Sequence, residues 1–248
     1  MKKHWKKIVT VVVAIAVLVI GGSFIYAKFI NQPDEEFDSS DVKDLLNATT
    51  TIAPDAPVTT VAAVTETTVA TPVVDGVEGE WVIADGSEVG YRVEESINGF
   101  DTTANGRTQA VTGAFSIGAT TVTAGEFTVD MTTFKSIESR RDGQFNGRIM
   151  DVANFPTATF VLTAPIDFLQ VPTDGTTITA SATGDLNLRG TTKSVTFEVE
   201  ATFANGRVGV LGKIPVLFSD FGIPNPSFGT ISTEDNGLLE FILAFDRA

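Results

Sequence analysis

Residues 177–203 read TITASATGDLNLRGTTKSVTFEVEATF, and their period of two decides the fold. Ile178, Ala180, Ala182, Gly184, Leu186 and Leu188 share one parity, opposite Thr177, Thr179, Ser181, Thr183, Asp185 and Asn187. Val195, Phe197, Val199, Ala201 and Phe203 then alternate with Thr196, Glu198, Glu200 and Thr202. Successive side chains of an extended chain point to opposite faces, so each run is a strand with one apolar and one wet face.

The same pattern extends in both directions. Towards the C-terminus come Val208, Val210, Gly212, Ile214, Val216 and Phe218, then Leu239, Phe241, Leu243 and Phe245. Towards the N-terminus come Ala158, Phe160, Leu162, Ala164, Ile166 and Phe168, and before them Phe127, Val129 and Met131. Val122 and Ala124 have the opposite parity, which predicts a bulge near Gly125. Val111, Gly113, Phe115 and Ile117 form another run, and Val89, Tyr91 and Val93 the first. Gly118-Ala119, Asp174-Gly175 and Asn205-Gly206 are turn signals between runs. These runs make about eight strands, which must cover a shared apolar face. An antiparallel barrel does so by closing on itself, and a sandwich by pairing two sheets. Ser136–Asp151 lacks alternation and spaces Ile137, Arg141, Phe145 and Ile149 by four, which predicts one short helix able to cap a barrel end. Gly143 and Gly147 weaken it.

The chain before residue 79 divides in two. Ile8–Ala27 is an uncharged run preceded by Lys2, Lys3, His4, Lys6 and Lys7. About 20 apolar residues suffice to cross a bilayer, and the basic flank predicts a cytoplasmic N-terminus. The length of the run, and Ile25-Tyr26-Ala27 in place of a small-x-small site, favour an uncleaved anchor over a cleaved signal. Residues 1–30 are therefore read as basic tip and transmembrane helix. Residues 31–78 are read as a linker, acidic at first, with one helical turn around Val42–Leu46. From Ala48 to Pro72 it is rich in Thr, Ala, Val and Pro and reads as a disordered stalk, and the linker as a whole has a reach on the order of 100 Å if extended. Its threonines suit O-glycosylation, and Asn47-Ala48-Thr49 fits the N-glycosylation pattern. Residues 79–248 are the barrel domain, placed outside the cytoplasm on a single-pass anchor.

Charge and composition remove several function classes. Residues 31–248 hold 12 basic and all 31 acidic side chains, a net −19, which opposes nucleic-acid binding and electrostatic docking on anionic lipid. Cysteine is absent, and with it thiol nucleophiles, disulfides and Cys-anchored lipids. The single histidine, His4, precedes the apolar run, so the body can hold no His-based triad or His metal site. Asp142 beside Arg140 and Arg141, and Asp130 at a strand end, come nearest to a catalytic constellation. Ordering a cap or loop is the better reading of both. We read the chain as no enzyme, with no cofactor and no metal.

Four blocks carry a resemblance. Trp81-Val82-Ile83 with Ser87, Val89 and Tyr91 is the first. Ser136-Ile137 with Arg141-Asp142, then Phe155-Pro156-Thr157-Ala158-Thr159-Phe160, is the second. Gly184–Val195, GDLNLRGTTKSV, is the third, and Ser219-Asp220-Phe221-Gly222-Ile223 the fourth. In this order, over roughly residues 80–247, they resemble YceI-like proteins, with Asn187 where the family usually has Thr. The resemblance implies an all-β, eight-stranded antiparallel, lipocalin-like barrel. It implies a long apolar cavity binding a polyisoprenoid, such as a polyprenyl group or an isoprenoid quinone tail, without catalysis. The anchor is a departure from members that are periplasmic or secreted.

The apolar face is the candidate site. Tyr91, Phe115, Phe127, Phe160, Ala182, Phe197, Phe218 and Phe241 are its candidate ligand-binding residues. On pattern alone these rings suit a filled core or a lined cavity equally. Gly113, Ala180, Ala182, Gly184, Ala201 and Gly212 share their parities, and small inward residues leave room. A filled interior would instead fit an envelope-structural or protein-interaction module.

Overall fold

The computed structural model describes residues 2–48, 76–169 and 171–248. The alternating stretches form β1 (Gly79–Ile83), β2 (Glu88–Ile97), β3 (Phe100–Thr108), β4 (Val111–Gly118), β5 (Thr121–Asp130), β6 (Thr157–Leu162), β7 (Ile166–Asp167), β8 (Thr177–Leu188), β9 (Thr191–Ala204), β10 (Arg207–Leu217), β11 (Ile231–Thr233) and β12 (Asn236–Arg247). Every pairing among them is antiparallel. The order β1-β4-β5-β6-β8-β9-β10-β12 returns to β1, so eight strands close a ring and the barrel, not the sandwich, is the fold.

The ring flares at one end. β2 continues β1 and takes over its place beside β12, pairing Val89 with Phe241 and Tyr91 with Leu239. β3 folds back on β2 through Asn98-Gly99, both at positive φ. A single bridge, Arg107 to Lys135, ties β3 to the chain beyond β5. Beside this flare lies the helical segment expected over residues 136–151. It is α-helical only over Ser139–Gln144 and continues as a π-helical turn over Phe145–Ile149. The widened turn starts just after Gly143 and contains Gly147, which weaken the regular ladder. The bulge in β5 is real but sits at Thr123, since Ser116 pairs with Ala124 and Ile117 with Val122.

Among the described residues, two helices precede the barrel. Taken in chain order, α1 is Lys2–Ile25 and α2 is Ser39–Asn47, and the Ser139–Gln144 helix is α3. α1 runs into a π-helical turn over Tyr26–Ile30. Trp5–Ile30 is long and apolar enough to cross a membrane, with a mean hydropathy of 2.8, and its apolar side chains are largely exposed.

The acidic segment after it differs from the linker reading. Residues 31–47 form a strap running along the outside of the barrel, from the flared end to the opposite end. Asn31 is buried at the flare, where its amide meets Thr102 Oγ1 at 3.0 Å. Further along, the Arg92 guanidinium donates to the Asp34 carbonyl at 2.8 Å, and Arg107 to that of Glu35. Phe37 donates its backbone N–H to Glu240 Oε2 at 3.1 Å and packs its ring under the Arg107 guanidinium, 3.8 Å away. Glu240 lies on the outer face of β12, fully buried, with Arg92 and Arg107 at 3.4 and 3.3 Å. α2 then begins on a capping box between Asp38 and Asp41. It buries Val42 and Leu46 against Leu211 and Ile242. Leu46 ends beside the β9–β10 turn, its carbonyl accepting from Asn205 at 3.2 Å.

The chain reappears at Gly76 at that same end, where Arg247 donates to the Gly76 carbonyl and to that of Glu78. Most of the Thr- and Pro-rich stretch, with its O-glycosylation reading and Thr49, lies outside the described residues. Both of its flanks are attached to the barrel at the end away from α1. It therefore does not separate α1 from the barrel, as the stalk reading required.

Candidate functional site

Inward side chains of the ring leave two cavities along the barrel axis. The inner one, of about 210 Å3, lies towards the end away from α1. The alternation of the strands builds it: β2 contributes Val89, β4 Phe115, β5 Phe127 and Val129, β6 Phe160, β7 Ile166, β8 Ala180 and Ala182, β9 Phe197 and Val199, β10 Val208 and Val210, and β12 Phe241 and Leu243. Thr159 and Thr202 are its polar members. Trp81, fully buried, closes the barrel beyond it, 6.4 Å from Phe115 in a stacked pair and edge-on to Phe203.

The outer cavity, of about 1380 Å3, occupies the flared end. Its walls continue the same strands by two residues: Tyr91 and Val93 follow Val89, Met131 follows Val129, Leu188 follows Leu186, and Val216 follows Ile214. Phe134, Phe145, Met150 and Ile223 come from the connections around α3 and after β10. Tyr91 and Phe145 stack at 4.8 Å, and Phe134 packs on both. These rings and those of Phe160, Phe197 and Phe241 belong to one packed cluster, which lines both spaces. Charged side chains line the outer cavity and not the inner one. They are Glu95, Glu138, Arg140 and Arg141, and Tyr26, from the turn after α1, completes the rim.

The structure brings the eight sequence-selected residues together on this surface. Phe115, Phe127, Phe160, Ala182, Phe197 and Phe241 line the inner cavity, Tyr91 and Phe218 the outer one. Burial raises the Tyr91 phenol above its ordinary pKa. The small-residue reading is half corrected. Ala180, Ala182 and Ala201 do line the cavity. Gly113, Gly184 and Gly212 do not leave space, because the rings of Phe127, Phe160 and Phe241 lie where a Cβ would stand. These glycines are seats for rings on neighbouring strands, and Gly106 seats Tyr91 in the same way.

The carboxylates sort into structural roles. Asp142 Oδ1 accepts from Ser136 N and Oγ at 2.9 and 2.7 Å, fixing the loop before α3. Asp130 accepts from Thr132 N and Oγ1 at 2.9 and 2.6 Å, and these bonds hold its pKa below the ordinary range. Arg141 turns from its sequence neighbour Asp142 to Glu95, 3.0 Å away. Desolvation raises the Glu95 pKa, and the Arg141 charge pulls it back in part. Among the described residues, no group of three or more His, Asp or Glu side chains is placed to hold a metal.

The comparisons agree with this architecture. A protein named UPF0312 protein from Pseudomonas fluorescens SBW25 is 37% identical over 136 residues, covering 49% of this chain and 66% of that one. The chain thus spans just under two thirds of that relative's length. Two solved structures share the fold. A polyisoprenoid binding domain from Saccharophagus degradans, implicated in plant cell wall breakdown, superposes with a TM-score of 0.54 at 14% identity, over 69% of this chain and all of that one. BcnA of Burkholderia cenocepacia superposes with a TM-score of 0.51 at 20% identity, over 64% and 95%. The model of the YceI-like domain matches residues 81–245, which is most of the chain and all of the ring but the outer ends of β1 and β12, and the protein belongs to that family.

Proposed function

We propose that this barrel binds an apolar lipid of the isoprenoid type without chemical turnover, at the outer face of the membrane that α1 crosses. The observation that carries it is the distribution of polarity along the axis: an inner cavity walled by apolar side chains apart from two threonines, and an outer one polar only at its rim. Such a wall gives a hydrocarbon tail about 0.8 kcal/mol per buried methylene and offers a head group its partners at the flared end. The inner space alone is below the roughly 300–1,000 Å3 of common ligand pockets, so the tail starts in the outer cavity and enters the inner one by displacing rings of the cluster that lines both. The binding recorded for the Saccharophagus degradans domain points to the same ligand class. A polyprenyl chain or an isoprenoid quinone fits this description.

Lipid extraction and mass spectrometry of the purified full chain test it. A stoichiometric polyprenyl species, or uptake of one on incubation, is the expected result. A barrel that comes out empty and stays empty would return the fold to the protein-interaction reading, which the two cavities otherwise disfavour.

A further inference from the structure

The flared end carries a surface that the lipid-binding reading does not use. The last turns of α1 touch the β2–β3 hairpin there: Asn98 Nδ2 donates to Ser23 Oγ at 2.6 Å, and the rings of Phe24 and Phe100 meet edge-on at 5.4 Å. Tyr26, one turn on, already lines the outer cavity, and Asn31 is tied to Glu95, Thr102 and Arg141. Beyond Asn31 the strap is clamped by Glu240. No free length of chain therefore separates the end of α1 from the cavity rim.

Around that rim, large apolar side chains stand in the open. Phe228 is 67% exposed, on the loop that Arg148 braces by donating to the Asn225 and Pro226 carbonyls at 3.0 and 2.7 Å. Ile137 is 49% exposed just before α3, and Phe29 is 67% exposed on the turn that follows α1. Braced, exposed rings beside an apolar cavity mark an interaction surface, and continuity with α1 says what covers it.

We propose that the flared end of the barrel docks flat on the bilayer, with Phe228 and Ile137 in the interfacial layer, so that the outer cavity opens directly onto lipid. The most exposed large side chains of this contact are apolar, its rim charges are of both signs, and the net acidic body gives anionic head groups no advantage. A zwitterionic phosphatidylcholine bilayer is therefore the sufficient partner. The inference rests on the reading of α1 as an uncleaved span.

The test uses the full chain in phosphatidylcholine nanodiscs. The natural sequence has no cysteine, so Val13→Cys, Ile137→Cys, Phe228→Cys and Thr173→Cys each give one site for a fluorophore. Quenching is read with lipids carrying a doxyl group either near the head group or deep in the acyl chain. The expected pattern is deep quenching at 13, shallow quenching at 137 and 228, and none at 173, at the opposite end. Quenching at 13 with 137 and 228 as dark to lipid as 173 would overturn the docking and leave the anchor standing. Loss of quenching at 13 would overturn the anchor, and the docking with it.

Discussion

The ring of Phe241 lies across Gly212, its partner in the β10–β12 ladder, so closely that a methyl group there would collide with three of its carbons. Gly212→Ala must push the ring towards the inner cavity, which Phe241 lines. Overpacking of this kind costs about 1–3 kcal/mol. Urea unfolding of the variant is expected to show that loss, together with weaker lipid uptake. A variant as stable as the parent, with unchanged uptake, would show that the ring has another place to go.

Phe197 lines the inner cavity, 5.5 Å from Phe160 and 6.1 Å from Phe241. Phe197→Ala enlarges that space. Stability should fall by about 3–5 kcal/mol in the empty barrel, as for other buried aromatic truncations. Longer isoprenoid chains should then recover part of the loss by filling the void, which melting curves with and without lipid will measure.

Glu240 holds the strap by accepting from Phe37 and pairing with Arg92 and Arg107. Glu240→Leu leaves two guanidiniums beneath the strap without their carboxylate. Both retain some solvent contact, at 13% and 19%, so the cost should fall below the ~3–5 kcal/mol of a fully buried broken pair. Hydrogen exchange should locate it. Residues 34–47 are expected to exchange faster while the ring strands keep their protection.

Glu95 and Glu88 both have raised pKa values, through burial above all, against the opposing charges of Arg141 and Arg107. A raised carboxyl pKa means the folded state binds the proton more tightly than the unfolded one. Their contribution to stability is full below the ordinary glutamate value of 4.5 and is lost as pH rises through the folded values. Unfolding free energies measured at pH 4 to 7 should therefore rise less steeply in the parent than in Glu95→Gln, which removes one of the two groups. Equal slopes would place Glu95 in water.

Seven of the ring strands were legible because each carries a run of apolar residues of one parity, reversed in β5 across its bulge, whereas β1, only five residues long, was not separated from β2. β3 was not. Its inward side is Ala104 and Gly106, the latter covered by Tyr91, and its outward Asn105 is buried by the strap, meeting Asp34 at 2.9 Å. A strand whose two faces are closed by a ring from next door and a polar strap shows no alternation of its own. The strap was missed for a related reason. Asp34, Glu35 and Glu36 read as solvent-facing charge, yet the backbone carbonyls of the first two serve Arg92 and Arg107, and Glu36 meets Lys213 at 2.5 Å. The partners lie more than fifty positions away, beyond any local pattern. The eight candidate residues share the inner surface because inward parity is a property of single strands. The part of the lining supplied by Phe134 and Phe145 was invisible, since both come from connections without a period.

A lipid carrier on a long tether searches a volume, and one whose tether is folded against its own wall searches a plane. With residues 31–47 laid along the barrel, a barrel held by α1 in the way proposed above would diffuse with its leaflet and meet lipid there. It would not ferry cargo across a gap, and any donor or acceptor would have to come within a lipid's length of the same surface. The Thr- and Pro-rich segment departs from and rejoins the barrel at the far end, so lengthening or shortening it should leave that working distance unchanged.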